Sequence, residues 1–183
     1  MSPKTVKILK ITAIVIVVLV ALPFIAALFV GKDISVERSV IIDRPNQQVF
    51  DYIRNLRNQD NYSTWAAMDP DMKRDFRGTD GTVGFVSAWD SEETGKGEQE
   101  IVGITEGERI DFALRFIEPF ESSADVYMAT EPVSEEQTRV TWGMESRFAY
   151  PMNLMLLFMD FEELIGDDYD IGLARLKEIL ENE

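Results

Sequence analysis

The sequence contains no cysteine and no histidine among its 183 residues. Without cysteine, disulfides, thiolate nucleophiles and lipoprotein anchoring are excluded, and the redox compartment stays open. Without histidine, the Ser-His-Asp triad, histidine-ligated zinc and the commonest general base are excluded. Enzymatic activity is therefore the less favoured interpretation, resting only on a carboxylate in a dry cavity. We predict no catalytic residue, no metal site and no cofactor.

Basic residues are also scarce, since 18 Lys and Arg stand against 33 Asp and Glu and give a formal net charge of −15. A nucleic-acid partner is not expected, because binding phosphates requires a basic face. Residues 1–30 contain three lysines and no acid, so all the acids lie in the rest of the chain. The sequence thus divides into a basic, apolar leader and an acidic globular part.

One long hydrophobic run extends from Ile11 to Val30, 20 residues without a charged side chain. As a helix it would be about 30 Å long, one hydrocarbon thickness. A cleaved signal peptide is a poorer match, because its apolar region is shorter and ends in an A-x-A-like site. A buried core helix is rarely apolar on all sides over this length. We expect an uncleaved single-pass anchor, with a cytoplasmic tip and transmembrane helix over residues 1–32 and a globular domain over 33–183.

The orientation of this anchor follows from its flanking basic residues. Lys4, Lys7 and Lys10 precede the run, whereas Lys32 and Arg38 follow it. The positive-inside rule then places the N-terminus in the cytoplasm and the globular domain outside it, in the periplasm or the extracellular space. This prediction depends on a small lysine excess.

The globular part predicts one strand, two short helices, six further strands and a long helix. Residues 34–42 are rich in Ile and Val and indicate a strand, and helical spacing follows from Pro45 to Asn55. A second short helix or turn is expected over Asn58–Trp65. Short turns join the later strands, so their neighbours should be antiparallel. These strands are predicted at Lys73–Arg77, Gly84–Trp89, Glu98–Thr105, Arg109–Ile117, Ser122–Thr130 and Thr138–Arg147.

Apolar residues recur every three or four positions from Leu154 to Leu180, which predicts one continuous amphipathic helix with Gly166 as a candidate kink. A seven-stranded sheet with one apolar face needs a cover, and this is the only predicted element long enough. We therefore expect an α+β fold in which a curved seven-stranded antiparallel sheet, two short helices and a long C-terminal helix follow the transmembrane helix. A concave space should separate the sheet from the long helix.

Several short stretches share a pattern with one known superfamily. They are Val36–Val40 running into Pro45, Val49–Ile53, Trp65 near Asp69-Pro70, Gly81-x-x-Gly84 with Trp89, Gly95-x-Gly97-Glu98, Thr138–Trp142 and Gly172–Lys177. Together with the element order they resemble the START-like, or helix-grip, superfamily (Bet v 1-like, SRPBCC) over residues 34–181. The chain looks like its membrane-anchored bacterial members of the polyketide cyclase/dehydrase and lipid-transport type. The resemblance implies a pocket for an apolar or amphipathic small molecule and no particular reaction.

An apolar stripe on the predicted sheet should face the apolar side of the long helix. Ligand sites are mostly apolar with a few polar groups, but a packed core shows the same pattern, so both interpretations stay open here. A protein partner is the expectation if the core is filled. The predicted pocket residues are Trp65, Trp89, Phe112, Leu114, Phe116, Val126, Met128, Trp142, Met144, Phe158, Phe161, Ile165 and Tyr169.

Charged residues at the opposite strand parity should form a solvated outer face with cross-strand ion pairs. A register slip of one residue would instead turn them into the cavity. The acidic residues of the last helix lack the spacing of a calcium loop and are expected to be solvated. The outer-face set is Glu100, Asp111, Arg115, Glu145 and Arg147.

Three functions are consistent with these features. The leading hypothesis is a membrane-anchored protein that binds a lipid or other apolar small molecule between the sheet and the C-terminal helix. The alternative is a non-catalytic scaffold or regulatory subunit of a membrane complex, with a filled core. The third hypothesis is a cyclase- or hydrolase-type enzyme.

Overall fold

The computed structural model describes residues 3–182, and its helices and strands follow the predicted order. The 25-residue helix α1 (Pro3–Ala27) comes first. The later elements are β1 (Asp33–Ile42), α2 (Asn46–Arg54), a 3₁₀ helix (Leu56–Asn61), α3 (Thr64–Met68), β2 (Lys73–Arg77), β3 (Val86–Ser91), β4 (Gly95–Thr105), β5 (Arg109–Glu118), β6 (Ser122–Ser134), β7 (Gln137–Arg147), a second 3₁₀ helix (Met152–Leu157) and α4 (Phe161–Asn182).

The chain forms two compact units. The first contains α1 and the segment 148–160, and the second contains residues 34–147 together with α4. The predicted domain boundary at residue 32 stays a prediction. What the sequence did not indicate is that the segment between β7 and α4 belongs to the same unit as α1.

The second unit is built on one seven-stranded antiparallel sheet in the order β1-β7-β6-β5-β4-β3-β2. Successive side chains of a strand point to opposite faces. On β5, Ile110 and Phe112 are therefore buried on the inner face, whereas Asp111 and Arg115 lie on the outer one. The α+β helix-grip fold predicted from the sequence is confirmed.

The predicted outer face is also confirmed. Arg115 donates hydrogen bonds to Glu98 at 3.1 Å and to Glu100 at 2.8 Å, across neighbouring strands. Arg77 pairs with Glu98 as well. Burial favours the protonated form of Glu98, but the hydrogen bonds from Arg77 and Arg115 outweigh it and hold the pKa of this carboxyl below its usual range. All five predicted outer-face residues are half-buried or exposed, so the register has not slipped.

The prediction of one continuous helix from Leu154 is wrong. The helix α4 begins at Phe161, and Met152–Leu157 forms a separate 3₁₀ helix. Apolar residues spaced by three or four fit both helix types, so the spacing alone could not locate the break. Glu162 and Glu163 in the first turn of α4 favour a helix start there, because carboxylates stabilise a helix N-terminus.

Gly166 does not kink α4, which continues through it. A Cβ at this position would overlap the guanidinium of Arg38 on β1. The missing side chain thus makes room for Arg38, whose Nε donates to Asp170 at 3.2 Å.

The C-terminal end of α4 packs tightly where β1 ends. Leu173, Leu176 and Leu180 are at most 1% exposed. Lys177 donates to the Ile41 carbonyl at 2.7 Å. Arg44 donates to the Glu181 carbonyl at 2.8 Å. We call this region, which also contains the first residues of β7, the packed end of the domain.

Candidate apolar ligand site

Burial of the inner face falls steadily along β5. Ile110 is fully buried and Phe112 is 3% exposed, whereas Leu114 is half-buried and Phe116 is 37% exposed. All four side chains point to the same face of the sheet. Where a strand reaches solvent, its residues on that face are ordinarily polar. The sheet therefore presents apolar surface to solvent at the end of β5.

The apolar side of α4 shows the same trend. Leu176 and Leu180 are fully buried and Tyr169 is 2% exposed, whereas Ile165 and Phe161 are only half-buried. A helix of 22 residues is about 33 Å long, so its start lies far from its end. Because the last turn of α4 lies at the packed end, its first turns lie at the opposite end of the domain.

The register of the sheet shows that these two partly exposed surfaces belong to the same end. Thr138, at the start of β7, donates to the Arg44 carbonyl at the packed end. The other end of β7 pairs with the first residues of β6, which pair in turn with Phe116. We call this region the open end. It contains Trp89, Leu114 and Phe116 on the sheet with Phe161 and Ile165 on α4.

An aromatic cluster separates the packed end from the open end. The rings of Trp142 and Tyr169 stack with centroids 4.4 Å apart. Trp65 makes edge-on contacts with both rings, with its centroid 6.3 Å from that of Trp142 and 5.9 Å from that of Tyr169. Tyr62 contacts Trp142 at 5.7 Å and donates its hydroxyl to the Met128 sulfur at 3.3 Å. Burial raises the pKa of both tyrosines, so their hydroxyls stay protonated and the cluster stays uncharged.

Among the buried side-chain atoms that lack a hydrogen-bond partner within the described residues, two are nitrogen donors on the inner side of the domain. They are the indole Nε1 of Trp142, in a side chain 1% exposed, and the amide Nε2 of Gln99, in a side chain 9% exposed. A buried polar group without a partner costs about 1–3 kcal/mol. Gln99 lies opposite Leu114 in the β4–β5 register, next to the open end. Its amide is a candidate for contact with a polar group of an otherwise apolar ligand.

Sequence reasoning missed Gln99, because it lies between Glu98 and Glu100 in what reads as a solvated polar run. Strand alternation carried the relevant signal. Gly97, Gln99 and Ile101 share one parity and are all buried, whereas the two glutamates share the other and reach the arginines of the outer face. A single polar residue among inward positions is the pattern that marks such a group.

Gly97 shapes the sheet at the open end. It lies between Trp89 and Phe116 in the register, and these two rings contact each other edge-on at 6.0 Å. A Cβ on Gly97 would overlap the Trp89 ring and lie 2.6 Å from the Arg115 carbonyl oxygen. Only glycine lets the Trp89 ring lie flat across β4 at this position.

The 13 predicted pocket residues differ in how deeply they are buried. Buried are Phe112, Val126, Met128, Trp142, Met144 and Tyr169. Half-buried are Trp65, Trp89, Leu114, Phe161 and Ile165. Exposed are Phe116 and Phe158. Contact of any of them with a ligand stays a prediction.

Phe158 differs from the rest of this set. It is 83% exposed and follows the second 3₁₀ helix, in the unit that contains α1. Its inclusion among the residues facing the sheet depended on a continuous helix from Leu154, which the structure does not have. It therefore does not lie on α4 with Phe161 and Tyr169.

A separate depression, lined by both polar and apolar side chains, lies on the outer face of the sheet and has a volume of about 180 Å³. Arg109 lies over the Tyr127 ring at 3.8 Å and donates to Asp111 at 2.7 Å. Tyr127 donates to Glu37, and burial together with this hydrogen bond raises the pKa of Tyr127 to about 12. These groups satisfy one another, so this depression is a weaker candidate. Over residues 3–182, no three acidic side chains are grouped so as to hold a metal ion.

Comparison with known proteins places this fold in a family. The model of the family described as polyketide cyclase/dehydrase and lipid transport matches residues 33–181. The chain belongs to this family. The helix-grip resemblance seen in the sequence is thereby confirmed, whereas no curated protein matches the chain significantly.

Solved structures from several bacteria share the fold. A solution structure from Thermobifida fusca is 17% identical, with a TM-score of 0.60 over 81% of this chain and 93% of that one. A protein from Nitrosospira multiformis is 20% identical, with a TM-score of 0.58 over 80% and 96%. The Aha1 dimer from Colwellia psychrerythraea is 14% identical, with a TM-score of 0.56 over 81% and 96%. At these identities the likeness concerns the fold alone.

We predict that Gly97→Ala lowers the free energy of unfolding by about 1–3 kcal/mol, because an added methyl group must displace the Trp89 ring or the β5 backbone. Thermal unfolding followed by circular dichroism and by tryptophan fluorescence measures this. The matched control is Gly103→Ala on the same strand, where the nearest atom is a flexible carboxylate oxygen of Asp111 at 3.2 Å. We expect the control to change stability by at most about 0.5 kcal/mol. Equal losses in both variants would contradict the tight packing at Gly97.

Proposed function

We propose that this protein is a membrane-anchored binding protein for a lipid or another apolar small molecule, which it takes up at the open end of the domain. The observation that carries the proposal is the parallel loss of burial along β5 and toward the start of α4. It leaves apolar inner-face side chains partly exposed beside a buried amide that lacks a partner. Membership of a family that includes lipid-transport proteins supports the same conclusion.

Binding would be driven by removal of apolar surface from water, on both the ligand and the open end. At roughly 25 cal/mol per Å², covering about 200 Å² contributes about 5 kcal/mol before the cost of association. The Gln99 amide would add orientation, because a ligand carbonyl or carboxylate placed against it regains a hydrogen bond. The expected ligand therefore has an extended apolar part and one acceptor group.

The helix α1 supports the membrane part of the proposal. It is long and apolar enough to cross a bilayer, and its apolar side chains are exposed along its length. Pro23 lies within this helix, and transmembrane helices tolerate an internal proline. Anchoring would hold the domain beside a bilayer, which is a store of apolar ligands. The lysine excess before the apolar run favours an extracytoplasmic domain.

The alternative of a scaffold subunit with a filled core also has an observation in its favour. The stack of Trp142 on Tyr169 and the buried leucines of α4 fill a large part of the space under the sheet. In that case the exposed aromatics of the open end would contact a protein. The two functions differ in whether a small molecule stays with the purified chain.

Native mass spectrometry of the full chain in detergent micelles tests for a bound ligand. We expect a retained adduct of small-molecule mass that is lost in Leu114→Asn, because this change places an unpaired amide in the apolar surface. The matched control is Val133→Asn, at a side chain 45% exposed on β6, which should keep the adduct. An adduct present equally in all three proteins would be lipid held by α1. That result, like the absence of any adduct, would contradict the proposed site.

Labelling of introduced cysteines tests the orientation, and the absence of native cysteine makes it free of background. We expect a membrane-impermeant maleimide added to intact cells to label Glu135→Cys, at the turn between β6 and β7. Ser2→Cys should react only after the membrane is permeabilised. The reverse pattern would show a cytoplasmic domain, and labelling of both sites in intact cells would argue against a spanning helix.

A further inference from the structure

The segment between β7 and α4 is apolar and exposed at the same time. From Phe148 to Met159 it contains no charged side chain, although 28% of the whole chain is charged. Large apolar side chains within it reach solvent instead of a core. They are Tyr150 (43% exposed), Met152 (44%), Leu157 (58%), Phe158 (83%) and Met159 (43%). A patch of this kind marks a surface that something apolar covers.

Hydrogen bonds fix this segment to the end of α1. The fully buried Asn153 donates from its Nδ2 to the carbonyls of Ala27 at 2.7 Å and Val30 at 3.1 Å. The Phe148 amide donates to the Lys32 carbonyl at 2.8 Å. The last carbonyls of a helix have no partner within it, so the Asn153 amide caps α1 at Ala27, and its second hydrogen bond reaches Val30 just beyond the helix. The segment is thus held at the level where α1 ends.

The position at which the segment docks is the end of the apolar run of the anchor. The run ends at Val30, which accepts a hydrogen bond from Asn153, and the first charged residues after it are Lys32 and Asp33. Leu28 and Phe29 beside Asn153 are 67% and 85% exposed. A segment docked here in the same compact unit lies at the boundary between hydrocarbon and headgroups, if α1 spans the bilayer.

We infer that residues 148–159 are a second membrane-contacting element, which lies in the lipid interface around the exit of α1. This inference rests on the proposed membrane anchor. The occupant of the apolar surface is the bilayer itself, because the surface is continuous with the lipid-facing side chains of α1 through Leu28 and Phe29. Phe158 and Leu157 enter the acyl boundary, and Tyr150 lies at headgroup level, where its ring and hydroxyl are both satisfied.

Depth-dependent fluorescence quenching tests this on the full chain in lipid nanodiscs of phosphatidylcholine and phosphatidylglycerol. Single cysteines are introduced as Phe158→Cys, Leu19→Cys and Glu135→Cys and labelled with an environment-sensitive fluorophore. Nitroxide lipids carry the quencher either near the headgroup or deep in the acyl chain. We expect Phe158→Cys to be quenched most by the shallow nitroxide, Leu19→Cys most by the deep one and Glu135→Cys by neither. Phe158 is largely exposed, so its replacement should leave folding intact.

The remaining outcomes separate the inference from the anchor on which it rests. Deep quenching at Leu19→Cys without quenching at Phe158→Cys would overturn the interfacial element and leave the anchor in place. Absence of quenching at both positions would overturn both. If Phe158→Cys escapes lipid nitroxides and is also shielded from aqueous iodide, a second copy or a protein partner covers the segment, which likewise overturns the inference.

Discussion

The arrangement of this domain depends on the stack between Trp142 of the sheet and Tyr169 of α4. The two rings lie nearly parallel, 11° apart, and both are almost fully buried. The close approach needs Gly172 one turn further along, because a Cβ there would lie 2.9 Å from the Trp142 ring. Beyond this contact, toward the C-terminus, α4 closes on the sheet through leucines. Before it, the apolar side chains of the helix are half-buried, as in Phe161 and Ile165, or exposed, as in Leu164.

This division gives one inner face two roles, stability at the packed end and the proposed ligand binding at the open end. The packed end excludes solvent and provides the core, while the open end keeps apolar side chains partly in water, where they are available to a ligand. Edge-on contacts between aromatic rings keep this surface ordered without filling it. The unpartnered Gln99 amide fits the same interpretation, because an orphan donor at the border of a closed core would be a pure cost.

The sequence predicted every strand and the parity of the sheet faces, since the alternation along β5 is regular and Gly or Pro lies in or beside four of the five turns between β2 and β7. The turn between β6 and β7 contains neither, and Pro132 lies within β6. The Arg115 ion pairs followed directly from that parity. Two features were beyond reach. The break before Phe161 was hidden by apolar residues whose spacing suits both helix types. The docking of Asn153 on the end of α1 joins residues more than 100 positions apart and has no local signal.

The central claim is that an apolar ligand occupies the open end, and tryptophan fluorescence tests it most directly. The chain has three tryptophans. Trp65 and Trp89 are half-buried, Trp142 is buried, and α1 contains none. Titration of the full chain in nanodiscs with a brominated fatty acid should give saturable quenching, since bromine quenches on contact. This quenching should be reduced in Trp89→Phe and abolished in Leu114→Asn. Quenching that never saturates, or that is unchanged in Leu114→Asn, would contradict a ligand site at the open end.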